Sequence, residues 1–261
     1  MFRRMKTPEI VTSIAALRAH VAGWRSAGQR VGLVPTMGAL HAGHLSLATE
    51  TQSRADRTVV SIFVNPAQFA PHEDFDRYPR DLNGDVAKLA GHADLIFAPS
   101  VAEMYPEGFA TGIEVGGPSE GLETDFRPHF FSGVATVVAK LLIAVAPDIA
   151  VFGEKDWQQL QVIRRLVTDL ALPVEIVGAP ILREPDGLAM SSRNAYLKPH
   201  EREIAGRMNV ILRNAADAEQ AKRALLEAGF DSVDYVAIRD GRILAAAKIG
   251  GTRLIDNMAV A

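Results

Sequence analysis

The sequence has no cysteine among its 261 residues. This absence excludes disulfides, thiolate nucleophiles and cysteine-based metal sites, and it fits a reducing cytoplasm, where we expect the protein to reside. The chain also has no excess of basic residues, since its net charge is −3. Proteins that grip a nucleic-acid backbone depend on such an excess, so we expect no nucleic-acid partner.

Long hydrophobic runs are missing as well. The longest apolar stretch, residues 134–146, is interrupted by Lys140 and is shorter than the roughly 20 residues that cross a bilayer. Residues 1–6 are basic, but Thr7-Pro8-Glu9 follows where the apolar part of a secretion signal would have to begin. We therefore expect neither a secretion signal nor a membrane partner.

Several catalytic signatures are also absent from the chain. It has no G-x-x-x-x-G-K-[ST] sequence, no G-x-G-x-x-G after an apolar strand, no G-x-S-x-G and no H-E-x-x-H. The P-loop, dinucleotide-binding, serine-hydrolase and zinc-protease interpretations consequently have no supporting motif.

What is present is an alternation of short apolar runs with helical patterns as far as Pro180. A helix is predicted to begin at Thr7-Pro8-Glu9 and to end at Gly28. The other predicted strands and helices cover residues 31–34, 43 onward, 58–64, 81–90, 95–98, 134–145, 149–152, 156–170 and 174–177. Continuous apolar strands that alternate with helices predict an α/β fold, a Rossmann-like doubly wound parallel sheet covered by helices on both faces.

Beyond Pro180 the pattern changes. Residues 199–229 are predicted to be mostly helical, and residues 233–238 and 243–246 form a predicted hairpin around Asp240-Gly241. We expect two domains, a Rossmann-like domain over residues 1–183 and a smaller α+β domain over residues 184–261.

The most informative stretch is Thr36-Met37-Gly38-Ala39-Leu40-His41-Ala42-Gly43-His44, which follows the predicted strand 31–34. A strand, a glycine-rich turn and a helix start together aim backbone N–H groups and imidazoles at one point, as a polyphosphate site requires. An isolated H-x-G-H could equally be two capping histidines. Its position after a strand favours phosphate binding, because open α/β sheets place ligands there.

Three further polar segments have both a structural and a functional interpretation. Met190-Ser191-Ser192-Arg193-Asn194 could be a linker or a phosphate clamp. Phe152-Gly153-Glu154-Lys155-Asp156-Trp157-Gln158-Gln159 could be a helix start or a phosphate and ribose site. Phe63-Val64-Asn65-Pro66-Ala67-Gln68-Phe69 could be turn chemistry or a pair of substrate-binding amides. Asp85 is a candidate Mg²⁺ ligand, whereas we interpret Asp81 as a helix-start acid.

In this order, together with Tyr78-Pro79-Arg80 and the closing segment Thr252-Arg253-Leu254-Ile255-Asp256-Asn257, these segments resemble the pantothenate synthetase family. That family belongs to the H-x-G-H nucleotidyltransferases. The resemblance covers nearly the whole chain. It implies ATP-dependent condensation of pantoate with β-alanine through an enzyme-bound pantoyl adenylate, with Mg²⁺ as cofactor and a homodimer as the assembly. We expect residues 1–183 to bind ATP and pantoate. Because the segment Ser191–Arg193 lies at the domain junction, we also expect residues 184–261 to close over ATP as a lid.

The resemblance further implies a role for each matching residue. The catalytic residues are expected to be His41, His44, Lys155 and Arg193. ATP is expected to contact Met37, Gly38, His44, Gly153, Lys155, Asp156, Met190, Ser191, Ser192 and Arg193. Pantoate and β-alanine are expected to contact Met37, Asn65, Gln68, Tyr78 and Gln159.

One segment departs from the family pattern. Many members read R-P-G-H-F where this chain has Arg127-Pro128-His129-Phe130-Phe131, so the usual histidine position is Phe130. His129 is therefore left out of the expected catalytic set. Two other functions remain open from the residues alone, namely a nucleotidyltransferase for a different substrate and a catalytically silent ATP-binding module.

Overall fold

The computed structural model describes residues 7–70, 73 and 75–260. The chain divides into two compact units, the first formed by Met1–Gly153 with Gln158–Ala179 and the second by Glu154–Trp157 with Pro180–Ala261. The predicted boundary at residues 183 and 184 differs from this division by a few residues. The prediction also placed Glu154–Trp157 in the first domain, whereas these residues belong to the second compact unit. The basic segment, residues 1–6, lies outside the described residues.

The first unit is built on a six-stranded sheet in which every described pairing is parallel. Its spatial order is β1-β4-β3-β2-β5-β6. The strands are β1 (Glu9–Val11), β2 (Val31–Thr36), β3 (Arg57–Ile62), β4 (Leu95–Phe97), β5 (Ile149–Gly153) and β6 (Glu175–Ala179). The Rossmann-like architecture predicted from the alternating pattern is confirmed.

Helices cover both faces of this sheet. They are α1 (Ile14–Ser26), α2 (Ala42–Arg54), α3 (Leu82–Lys88), α4 (Val101–Met104), α5 (Glu123–Phe126), α6 (Phe130–Val145) and α7 (Trp157–Asp169). Leu47 and Ala48 of α2 pack against Val34, Val60 and Ile149 of the central strands. The strands read as unbroken apolar runs because both of their faces are buried in this way.

The prediction for the N-terminus was wrong. Glu9–Val11 form the short edge strand β1, whose residues pair in register with Leu95–Phe97, and the helix begins only at Ile14 with Ser13 as its N-cap. The local signals of Thr7-Pro8-Glu9 are those of a helix start. The backbone hydrogen bonds offered by the edge of β4 decided the conformation instead.

In the part of the chain that the structure describes, the second unit contains three α-helices, two short 3-10 helices and a three-stranded antiparallel sheet. The helices α8 (Pro199–Ala205), α9 (Met208–Asn214) and α10 (Ala218–Glu227) pack on β7 (Ser232–Arg239), β8 (Arg242–Ile249) and β9 (Thr252–Ala259). The predicted hairpin joins β7 to β8, with positive φ at both Asp240 (52°) and Gly241 (69°). The third strand was not predicted.

None of the helices that the structure describes is long and apolar enough to pass through a membrane.

Candidate active site

The loop after β2 turns directly into helix α2 and carries both histidines of the H-x-G-H motif. His41 is the N-cap of α2, and its Nδ1 accepts a hydrogen bond of 3.1 Å from the Gly43 N–H. His44 returns the contact, because its Nδ1 accepts from the His41 N–H at 3.3 Å. The centres of the two imidazole rings lie 4.1 Å apart. Because each Nδ1 is an acceptor, a neutral ring carries its proton on Nε2, so both imidazoles are N–H donors at that atom.

A buried carboxylate holds the preceding turn in place. Asp85, which is 1% exposed, accepts hydrogen bonds of 2.8 Å from the N–H groups of both Ala39 and Leu40. Ala39 has a positive φ of 50°, a conformation that costs a non-glycine residue about 1 kcal/mol. Lys88 completes the arrangement, since its Nζ lies 3.6 Å from Asp85 and donates to the Leu40 carbonyl at 2.8 Å.

These contacts bear on the predicted metal ligand. Both carboxylate oxygens of Asp85 are used by backbone N–H groups, which gives this residue a structural role in shaping the loop. Its assignment to Mg²⁺ stays a prediction that these contacts disfavour. Asp81 is the N-cap of α3 and accepts from the Gly84 N–H at 2.9 Å, so its interpretation as a helix-start acid is confirmed.

The loop lies at the point where the strand order reverses. From β2 the chain proceeds to β3 and β4 on one side, while β5 and β6 lie on the other. Parallel sheets bind ligands beyond the strand ends at such a switch point. The segment Met37–His44 follows β2, and Gly153 ends the neighbouring strand β5, so both belong to this edge of the sheet.

Three of the predicted substrate residues meet at the end of β3. Asn65 caps the short 3-10 helix Pro66–Gln68, and its Nδ2 donates to Gln68 Oε1 at 3.2 Å and to the Gly133 carbonyl at 3.1 Å. Gln68 Nε2 in turn lies 3.1 Å from the sulfur of Met37. The structure therefore joins Met37, Asn65 and Gln68 in one polar chain, within a unit that also buries Tyr78 against Phe69.

Tyr105 belongs to the same chain and was missed by the sequence analysis. Its hydroxyl donates to Asn65 Oδ1 at 2.7 Å, and burial raises the pKa of Tyr105 to about 12. The Tyr105 hydroxyl therefore stays protonated, and able to donate a hydrogen bond, throughout the physiological pH range. Nothing in the surrounding sequence, which reads Met104-Tyr105-Pro106, distinguishes this tyrosine from an ordinary core residue.

Arg127 was predicted no role of its own, because it was considered only within the segment that differs from the family pattern. In the structure it anchors the segment that contains Gln68. Its guanidinium donates to both carboxylate oxygens of Glu73, at 2.6 and 2.7 Å, and to the Gln68 carbonyl at 3.2 Å. The planar group also lies 3.9 Å from the centre of the Phe130 ring. Phe130, at the family's usual histidine position, is thus a buried support for Arg127, whereas His129 is exposed.

The second unit carries the remaining predicted cationic groups. Lys155 and Asp156 lie in the one-turn 3-10 helix Glu154–Asp156, and Ser191 caps another, Ser192–Tyr196, by accepting from the Arg193 N–H at 3.3 Å. Asn194 is buried, and its side chain donates to the Ala189 carbonyl at 3.1 Å. Met190, Ser191, Ser192 and Arg193 are partly exposed. The convergence of Lys155 and Arg193 with His44 on one triphosphate stays a prediction.

Comparison with known proteins decides the family. The model of the pantoate-β-alanine ligase family matches residues 9–259. The chain belongs to this family. It is accordingly a ligase of pantothenate synthesis.

Individual relatives agree with this ligase assignment over almost their entire lengths. The chain is 58% identical to the pantothenate synthetase of Mesorhizobium japonicum, covering 98% of this chain and 99% of the relative. It is 54% identical to that of Caulobacter vibrioides, covering 98% and 100%.

Solved structures extend the likeness to the fold. The pantothenate synthetase of Thermus thermophilus matches with a TM-score of 0.88 and 45% identity, over 96% of this chain and 99% of that one. The pantoate-β-alanine ligase of Francisella tularensis, solved with β,γ-ATP and β-alanine, matches with a TM-score of 0.88 and 38% identity, over 97% of each chain.

Two neighbouring glutamines of the ligase have different surroundings. Gln158 is buried, its Nε2 donates to the carbonyls of Pro118 and Gly121 at 3.1 and 3.0 Å, and its Oε1 accepts from the Glu123 N–H at 3.1 Å. Gln159, the predicted pantoate ligand, is partly exposed. The two side chains have different surroundings because adjacent residues of a helix point about 100° apart.

Proposed function

We propose that this ligase makes pantothenate in two steps on one site. A carboxylate oxygen of pantoate attacks the α-phosphorus of ATP, and the bond to pyrophosphate breaks. The amine of β-alanine then attacks the acyl carbon of the pantoyl adenylate. AMP leaves with the bonding electron pair, and the amine proton passes to solvent. No protein nucleophile is needed in either step, so catalysis depends on positioned donors and cations.

The arrangement at the start of α2 supports the first step. Two imidazoles with Nε2 protons stand at the N-terminus of a 13-residue helix, whose dipole favours negative charge. Negative charge grows on the α-phosphate and on the leaving pyrophosphate as the oxygen attacks. We assign His41 and His44 to the α-phosphate, and Lys155, Ser191, Ser192 and Arg193 to the other phosphates, with Met190 beside them. Gly153 and Asp156 are assigned to the ribose, and Gly38 is assigned to ATP because its bare backbone permits close approach of a phosphate.

The polar chain after β3 supports binding of a small hydroxy acid. Gln68 and Met37 are assigned to pantoate together with Gln159, while Asn65 and Tyr78 are assigned to the β-alanine side. Asn65 already uses its amide in four contacts, with Ala67, Gln68, Tyr105 and Gly133. We therefore assign Asn65 a second contribution, which is to hold Gln68 in place.

The metal and the assembly belong to the proposal as well. The described residues contain no group of three or more acidic or histidine side chains that could hold a metal ion by themselves. Mg²⁺ commonly binds through substrate phosphates with one or two carboxylates, so we propose that it arrives with ATP, whose phosphate charge it neutralises. We further propose a cytoplasmic homodimer.

Formation of AMP tests the reaction directly. The purified protein is incubated with ATP, Mg²⁺ and pantoate, with and without β-alanine, and AMP and pantothenate are quantified. Pantoate-dependent exchange of labelled pyrophosphate into ATP without β-alanine reports the adenylate step alone. We expect exchange with pantoate and sustained AMP release only with β-alanine. Exchange with a different acid would indicate another substrate, and ATP binding without exchange would indicate a silent module.

A further inference from the structure

The backbone around Lys155 is held by a side chain from the last strand. Asn257 of β9 is 1% exposed, and its Nδ2 donates hydrogen bonds of 2.9 Å to the carbonyls of both Glu154 and Lys155. One amide group thus satisfies two successive carbonyls of the one-turn helix that presents the lysine. A buried amide with both protons used in this way is a strong constraint, because each carbonyl would otherwise lose its partner.

Arg242 of β8 fixes the orientation of that amide. Its Nε donates to Asn257 Oδ1 at 2.6 Å, which leaves the NH₂ end to face the two carbonyls. The same guanidinium lies 3.6 Å from the Glu154 carboxylate and 4.4 Å from the centre of the Trp157 ring. Arg242 therefore touches the Lys155 segment on both sides of the lysine and orients the residue that holds its backbone.

The adjacent residue extends the network toward the other cationic segment. Asp256 accepts two hydrogen bonds from Arg183, at 2.6 and 2.9 Å, and Arg183 donates to the Gly187 carbonyl at 3.1 Å. Arg183 also pairs with Ala189 in an isolated β-bridge, just before Met190–Arg193. Two consecutive residues of β9 thus support both phosphate-binding segments of the second unit.

We propose that Asn257 is a positioning residue that acts through Lys155. This proposal rests on the phosphate-binding role given to Lys155 above. The two amide hydrogen bonds fix the position and orientation of the one-turn helix. The Lys155 side chain, which carries the ammonium group, is therefore attached to a fixed backbone. Misplacement of a catalytic group by about 1 Å can lower a rate on the order of 100-fold.

The substitution Asn257→Asp isolates this effect. It keeps the side-chain shape and the acceptor for Arg242, but it places a carboxylate oxygen against two carbonyl oxygens. We expect the rate of pantoate-dependent pyrophosphate exchange to fall roughly 10- to 100-fold. The decisive measurement is the double variant with Lys155→Ala. Because both changes act through the same ammonium group, the double variant should be no slower than Lys155→Ala alone.

The control substitution lies in the same sheet. Asp234 pairs with Arg253 at 2.7 Å and with Lys248 at 3.6 Å. Asp234→Asn alone should leave the exchange rate close to that of the unsubstituted protein. Combined with Lys155→Ala, it should leave the rate close to that of Lys155→Ala alone. If Asn257→Asp does not fold, as judged by circular dichroism, Arg242→Gln replaces it in the same cycle with the same expectation.

Other outcomes separate the two proposals. Absence of exchange in the unsubstituted protein would overturn the proposed function. Full exchange in Lys155→Ala would overturn the role of the lysine and, with it, the role of Asn257. If the unsubstituted protein is active and Lys155→Ala is impaired, two results overturn the positioning role alone. These are an unchanged rate in Asn257→Asp and a double variant slowed by the product of the two single effects.

Discussion

At the scale of single residues, the H-x-G-H loop depends on groups that supply shape as well as groups that donate hydrogen bonds. The Nδ1 atoms of His41 and His44 are used in capping α2, and this fixes the proton of each neutral ring on Nε2. Asp85 supplies the shape of the turn before them. The loop was recognised from its histidines and glycines, whereas the role of Asp85 required the three-dimensional contacts.

Replacement of His44 by alanine tests one of the two hydrogen-bond donors. We expect pantoate-dependent pyrophosphate exchange to fall roughly 10²- to 10³-fold, the usual cost of removing one positioned donor. The circular dichroism spectrum should be unchanged. His200→Ala is the control, because that side chain is 72% exposed. Exchange at the normal rate in His44→Ala would remove this histidine from the catalytic set.

Replacement of Asp85 by asparagine separates its two candidate roles. The amide would face a backbone N–H with its own NH₂ group, so the free energy of unfolding should fall by about 1–3 kcal/mol. The exchange rate should fall because the turn loosens, while the Mg²⁺ concentration that gives half-maximal rate should not change. Asp81→Asn is the matched control, since asparagine is an equally good N-cap. A large shift in the Mg²⁺ requirement of Asp85→Asn would instead support metal binding.

At the scale of elements, the first turn of α6 is packed directly on the segment Pro66–Gln68, which we propose binds substrate. A Cβ at Gly133 would lie 2.3 Å from the Ala67 carbonyl oxygen and 2.8 Å from the Gln68 nitrogen. The Gly133 carbonyl also accepts from Asn65. Glycine at this position therefore permits an approach that positions Gln68, and no local feature of the helical sequence around it shows this.

The variant Gly133→Ala should displace Gln68 and weaken pantoate binding. We expect KM for pantoate to rise roughly tenfold or more, with a loss of stability of about 1–3 kcal/mol from overpacking. Gly23→Ala in α1 is the matched control. A Cβ there meets nothing within 4 Å, so it should stabilise the protein by roughly 0.5–1 kcal/mol without changing KM. An unchanged KM in Gly133→Ala would contradict the role given to this contact.

The central strands and the long helices of the first unit were predictable because their apolar spacing is regular. The two missed strands show why others were not. β1 has only three residues, and its conformation is set by the edge of β4, which lies far along the chain. β9 (Thr252–Ala259) buries the polar residues Asp256 and Asn257 next to each other, and its strand conformation depends on pairing with β8. Pairing partners of this kind carry no local signal.

At the scale of the whole molecule, one carboxylate links distant parts of the first unit. Asp148, just before β5, accepts from the Val31 N–H at 2.7 Å and from Arg25 at 3.2 Å. Burial raises its pKa, but the hydrogen bonds from Val31 and Arg25 outweigh burial and hold the pKa of Asp148 below its ordinary value. A carboxyl whose pKa is lower in the folded state stabilises the fold above its unfolded pKa of about 3.9.

This stabilisation should disappear in acid. As the pH falls below about 4 and through the folded-state pKa, Asp148 becomes protonated and its contribution is lost. Asp148→Asn should therefore melt a few degrees below the unsubstituted protein at pH 7, and the difference should shrink at pH 3. Thermal melts followed by circular dichroism at the two pH values measure it. A difference that is equal at both would show that the charge of Asp148 is not what stabilises the fold.

The predicted lid function of the C-terminal part concerns the molecule in solution. A reactive acyl adenylate must be kept from water, which closure over the substrates would achieve. We expect the radius of gyration from X-ray scattering to decrease when ATP and pantoate are added together. Equal values with and without the substrates would argue against closure.

By itself, the sequence determined the fold class, the succession of the main strands and helices along the chain and the family, because apolar periodicity and short motifs are local properties of the chain. Only the tertiary structure showed that Asp85 shapes the histidine turn, that Tyr105 and Arg127 support Asn65 and Gln68, and that Asn257 holds Lys155. Each of these partners is separated from its target by dozens of residues. Such pairings arise from burial and hydrogen bonding between elements, and neither leaves a pattern in the linear sequence.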